Sequence, residues 1–141
     1  MAGGAAAGSI CSDGVATARE FWAVPMNAPV SRAAVQAFLE EGGIGPEWVH
    51  EVMVAGGEAI ANVVQHAYPP QTPGKMVLSV YCCTTHKVIV VQVRDRGKGN
   101  MAEASDPHLR RGFGFLIMRA LAEAVSIESL GGTTVTMVFR K

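Results

Sequence analysis

No charge of either sign predominates in this sequence: 12 Lys and Arg face 12 Asp and Glu, for a formal net charge of +0. An overall field that would draw the chain to nucleic acid or to an anionic membrane is missing, so a partner has to be recognised locally. Cysteine is scarce and odd in number. Cys11, Cys82 and Cys83 show neither a CxxC pair nor a Cys/His metal spacing. That argues against a disulfide framework and a zinc site, and for reduced thiols in a cytoplasmic protein. No apolar run reaches the about 18 residues that a bilayer span requires. Residues 1–8 are rich in Gly and Ala but have no basic start and no leucine-rich core, which makes a poor signal peptide. The expectation is a flexible tail over residues 1–17 and one domain over residues 18–141, because a chain of 141 residues can bury one real core but not two ordinary ones.

What is present is a clear alternation of periods. Ala18 to Met26 carries Phe21, Trp22, Val24 and Met26, with Pro25 near its end, consistent with an edge strand that tolerates a missing N–H. Pro29 and Ser31 then introduce a helical pattern, Val30, Ala34, Val35, Phe38 and Leu39, that stops at Gly42-Gly43. Pro46-Glu47 opens a second helix, with an acid in the first turn where the helix dipole favours it. Its apolar stripe runs to Ala67, and Pro69-Pro70 ends it. From Met76 the period becomes that of a strand, through Cys82 and again over Val88 to Val93, which reads as an antiparallel hairpin. Asn100 to Arg111 shows no period, and loops of that length in a compact domain tend to be functional. A helix is expected over Phe115 to Ala124, then a strand over Val125 to Leu130, a turn at Gly131-Gly132 and a strand over Thr133 to Phe139.

Four stretches carry candidate chemistry. On the second helix Glu58 and Asn62 stand four apart, one above the other on one face. An acid and an amide so stacked can divide the work of a magnesium-nucleotide site, the amide oxygen on the metal and the carboxylate on the attacking group's proton. Taken alone, such a pair is ordinarily a solvated face. Asp95-Arg96-Gly97-Lys98-Gly99 places a carboxylate at a strand end, where it can accept a hydrogen bond from an exocyclic amine, with glycines that let backbone pass close to a flat ring. Arg111-Gly112-Phe113-Gly114 precedes a helix, and free N–H groups at a helix start bind phosphate. It is neither the dinucleotide fingerprint nor a Walker loop. Gly131-Gly132-Thr133-Thr134 is a hairpin turn, or a hydroxyl reaching toward a base.

The order of these stretches is more specific than any one of them. Glu-x-x-x-Asn on a helix, a strand ending in Asp-x-Gly-x-Gly, Arg-x-Gly-x-Gly before a helix, and Gly-Thr-Thr before a last strand together resemble the GHKL ATPase superfamily of histidine kinases, gyrase and related chaperones. Within it the sequence is most similar to the bacterial anti-sigma-factor serine kinases, over residues from about Phe21 to Phe139. The resemblance implies an α/β two-layer sandwich, the Bergerat fold, with a mixed, mainly antiparallel sheet and helices on one face. It also implies Asn62 as magnesium ligand, Glu58 as general base, and Asp95 on the adenine amine with Gly97 and Gly99 bordering base and ribose. Arg111, Gly112 and Gly114 would meet the phosphates, Thr133 or Thr134 would complete the adenine pocket, and Asn100 to Arg110 would form a lid. Members usually dimerise, bind a sigma factor and phosphorylate a serine on an anti-anti-sigma (STAS-type) partner, with ATP and Mg2+. No direct contact with nucleic acid or membrane is implied. A regulatory module that binds ATP and sequesters a partner without phosphoryl transfer is the other reading, and the intact Glu58 favours the kinase.

Overall fold

The computed structural model describes residues 13–98 and 111–141. Gly99 and the expected lid, Asn100 to Arg110, lie outside the described residues, as does most of the expected tail. Strand β1 (Val15–Trp22) is followed by helices α1 (Asn27–Glu41) and α2 (Pro46–His66), strands β2 (Lys75–Cys83) and β3 (Val88–Asp95), helix α3 (Arg111–Leu121), and strands β4 (Ala124–Glu128) and β5 (Thr133–Arg140). The strands form one sheet in the order β1-β2-β3-β5-β4. All four pairings are antiparallel, so no parallel pair makes this sheet mixed among the described residues.

The core lies between one face of the sheet and the three helices. In β2, Met76, Leu78, Val80 and Cys82 are buried; in β3, Ile89, Val91 and Val93; in β5, Val135, Met137 and Phe139. This period of two sends every second side chain to the helices. The helices answer with Val35 and Leu39 from α1, Val49, Val52, Ala55, Ala59, Ile60 and Val63 from α2, and Phe115 and Met118 from α3, all in the same cluster. Helix α2 has Pro at its start and Glu47 in its first turn, as the proline's fixed φ and the helix dipole favour.

Several boundaries depart from the sequence expectation. Residues 15–17, assigned to the tail, are the first three of β1 and pair with Cys82, Tyr81 and Val80. Pro25 lies in the turn after β1, where Asn27 N–H bonds to the Val24 carbonyl at 2.9 Å. The last helix starts at Arg111 rather than Phe115, so Gly112 and Gly114 lie within its first turn; local glycine content favoured a loop, and packing on α2 overrode it. Cys82 is a buried free thiol, and burial pushes its pKa up. Cys83 is disulfide-bonded, against the expectation of reduced thiols throughout, since pairing depends on spatial approach that spacing along the chain does not reveal. Among the described residues no helix is long and apolar enough to cross a membrane.

Candidate functional site

The site forms where the C-terminal half of α2, the exit of β3, the start of β5 and the first turn of α3 converge. The separation of four on α2 does place Glu58 and Asn62 on one face, and α3 comes down onto that face. A Cβ built on Gly114 would stand 2.9 Å from Glu58 Oε1, 3.6 Å from Glu58 Cβ and 3.7 Å from Asn62 Nδ2. Only a glycine leaves the Glu58 carboxylate where it is. Gly114 stands in the first turn of α3, which runs Arg111–Leu121. The side chain of Arg111 and the surroundings of Gly112 fall outside the described residues.

Asp95 is the last residue of β3 and points to the helix side of the sheet, 5% exposed. The Gly97 N–H donates to Asp95 Oδ1 at 2.8 Å. Burial holds the Asp95 carboxyl above the usual carboxylate range, and backbone N–H bonds from Gly97 and Thr133 pull in the other direction. A half-satisfied, desolvated acceptor of this kind is suited to a ligand that brings its own N–H donor.

Gly97 is pressed against the end of α2. A Cβ there would overlap the Ala67 carbonyl and lie 2.6 Å from its carbon. Gly132, at φ +129°, passes over the same loop, where a Cβ would stand 2.6 Å from the Arg96 Cα. These contacts tie the β3 exit to both α2 and the β4–β5 turn. Outside the Ala67–Gly97 contact, His66, Tyr68, Thr72, Arg96 and Lys98 line an open pocket of about 480 Å³, which does not reach Glu58 or Asn62.

The two threonines separate. Thr133 pairs with Asp95 and is buried beside it, whereas Thr134 pairs with Arg94 on the opposite, open face of the sheet. Of the two, only Thr133 lies on the face of Asp95, because adjacent residues of a strand cannot share a face. Glu58, Asn62 and Gly114 form one group, and Asp95, Gly97 and Thr133 a second that meets the end of the same helix α2 at Ala67; Thr134 belongs to neither. Gln65 is exposed. Trp22 is half exposed with Lys75 Nζ 4.9 Å from its ring, and Trp48 packs on the edge of the core with Lys141 Nζ at 5.7 Å. Sequence reasoning passed over Tyr68 and Ala67. Their signal was position alone: a tyrosine and a bare carbonyl just past a helix end, before Pro69-Pro70.

Comparison with known proteins agrees with this geometry. The sequence pattern of the histidine kinase-like ATPase domain matches residues 21–139. The chain is 30% identical over 129 residues to the anti-sigma F factor of Bacillus subtilis (strain 168), covering 84% of this chain and 87% of that protein. It is also 30% identical over 129 residues to the anti-sigma F factor of Clostridium novyi (strain NT), covering 84% and 89%. The crystal structure of RsbU and RsbW domains from Mycobacterium tuberculosis shares the fold, with a TM-score of 0.69 at 23% identity over 89% of this chain and 32% of that one. With a match that runs from the end of β1 to the last strand, the chain belongs to the histidine kinase-like ATPase domain family.

Proposed function

We propose that this protein is an anti-sigma-factor-type serine/threonine kinase that binds Mg-ATP, phosphorylates a serine of an anti-anti-sigma (STAS-type) partner and sequesters a sigma factor. The observation that carries the reading is the meeting of Glu58 and Asn62 with the first turn of α3 at Gly114. The Glu58 carboxylate and the Asn62 side-chain amide both face Gly114 in the first turn of α3, and Asp95 supplies a desolvated carboxylate at the exit of β3. The name borne by the relatives, anti-sigma F factor, supports a sigma factor as partner.

The division of labour follows from donor chemistry. Asp95 and the buried Thr133 take the adenine, the carboxylate accepting from the exocyclic amine, while Gly97, backed onto the Ala67 carbonyl, borders the base and ribose. The α3 first turn takes the phosphates through N–H groups. Among the described residues no three His, Cys, Asp or Glu side chains form a metal cage. That suits magnesium, which keeps several waters and is commonly held by one or two protein oxygens plus phosphate oxygens. Asn62 is the residue that would hold it, and the ion would supply charge neutralisation at the phosphates. Glu58 receives the proton of the incoming serine hydroxyl as its oxygen attacks the γ-phosphorus and ADP leaves. Homodimerisation and a cytoplasmic location belong to the same proposal; light scattering of the purified protein tests the first.

The alternative, a module that binds ATP and sequesters its partner without transfer, separates from the kinase at Glu58. Glu58→Gln is expected to bind Mg-ATP and the sigma factor normally while phosphorylation falls about 10²–10⁴-fold. Asn62→Ala is expected to weaken nucleotide binding as well. Normal transfer by Glu58→Gln removes the base assignment, and absence of transfer by the wild type to every cognate partner favours the binding module.

A further inference from the structure

The hydroxyl of Tyr68 occupies an unusual place in the sheet. Strands β2 and β3 are paired as far as Met76 and Asp95, so one step further Lys75 and Arg96 would face each other. They do not bond directly. The Tyr68 hydroxyl donates to the Lys75 carbonyl at 2.7 Å and accepts the Arg96 N–H at 2.8 Å. It is thus inserted into the ladder at the point where a direct N–H to carbonyl bond would have continued it, and it holds the two chains apart. The ring that carries it lies against Gly74, where a Cβ would stand 2.6 Å from the ring's Cδ1.

The consequence falls on the next two residues. Prised off β2 at Arg96, the chain turns toward α2, so that Gly97 backs onto the Ala67 carbonyl and returns its N–H to Asp95 Oδ1. We propose that Tyr68 is the positioning residue of the adenine-reading site: by splaying the end of the β2–β3 ladder it sets the Gly97 N–H, and through it the orientation of the Asp95 carboxylate. The proposal rests on the reading of Asp95 as the adenine contact.

Tyr68→Phe keeps the ring on Gly74 and removes only the oxygen. The Arg96 N–H then either bonds the Lys75 carbonyl directly or takes a water, and in both cases Gly97 is drawn from its place. Because the bridge is at the surface, water can satisfy the freed groups and the fold survives. Two measurements on the full chain test this. In the nucleotide-free protein, Gly97 and Arg96 amides should lose exchange protection and shift in 1H–15N spectra, while amides of the β2 and β3 core keep theirs. ATP affinity should fall about three- to tenfold, and that fall should vanish in the Asp95→Asn background, since it acts through that carboxylate. An unchanged Gly97 amide, or an equal loss of affinity with and without Asp95, overturns the positioning role. If the wild type binds no adenine nucleotide, the functional reading fails while the Gly97 amide still decides whether Tyr68 sets that turn. Should Tyr68→Phe not fold, Gly74→Ala, which displaces the ring and keeps the hydroxyl, is read by the same amide signals with the same expected and overturning results.

Discussion

Gly114→Ala should separate stability from catalysis in this protein. The added Cβ would stand 2.9 Å from Glu58 Oε1, and ordinary contact begins at 3.4 Å, so the carboxylate must retreat by roughly half an ångström. That atom is the far end of a flexible side chain, and the next neighbours, Glu58 Cβ at 3.6 Å and Asn62 Nδ2 at 3.7 Å, are at normal distance. The steric cost is therefore small. Against it, exchanging glycine for alanine within a helix gains up to about 1 kcal/mol, somewhat less in the first turn. The variant should melt at or slightly above the wild-type temperature. Phosphoryl transfer should nonetheless fall about tenfold, because a misplacement of about 1 Å at a reacting group can cost on the order of a hundredfold. ATP affinity should change less than transfer does, since Asn62 is barely touched. The assay pairs thermal denaturation with transfer of labelled phosphate to the partner and nucleotide titration. Unimpaired transfer in the folded variant would refute the placement of Glu58 at the reacting centre, and a melting temperature several degrees lower would refute the steric account.

Three further outcomes follow from the β3 exit. Asp95→Asn preserves shape but offers an amide edge to the adenine amine, so ATP and ADP affinity should both fall, by about 1–3 kcal/mol in calorimetric titration; equal binding would remove Asp95 from the site. Burial raises the Asp95 carboxyl above its ordinary value of 3.8, so between 3.8 and the raised value the folded state binds more protons than the unfolded one. Stability from this group is full below that window and is lost as pH rises through it; urea melts across acid pH should show the slope in the wild type and its absence in Asp95→Asn. Gly97→Ala, whose Cβ would overlap the Ala67 carbonyl, meets backbone that cannot swing aside, and should cost about 1–3 kcal/mol in denaturant melts together with a loss of ATP binding.

Much of this protein could be read from residue order. The helical stripe of Val49, Val52, Ala59, Ile60 and Val63 and the alternation of Met76, Leu78, Val80 and Cys82 specify their own periods, because each side chain's direction follows from the local backbone repeat. Glu58 and Asn62 were legible for the same reason, being four apart on one helix. Where two local signals competed, packing decided: glycines 112 and 114 argue for a loop, yet they lie in the first turn of α3 because Phe115 and Met118 bury against α2 and the sheet.

Relations between distant segments required the tertiary structure. Sequence order could leave Thr133 and Thr134 as equals; only the register that sets Asp95 opposite Thr133 puts one beside the carboxylate and the other on the open face. Gly97 is a turn glycine by sequence, and only its contact with Ala67, 30 residues earlier, makes the missing side chain obligatory. The same holds for Tyr68, whose hydroxyl has no meaning until Lys75 and Arg96 come to either side of it. Periodicity is a property of neighbouring residues and is written along the chain, whereas a binding site is an intersection of segments, and where they cross is settled by the burial of the whole core.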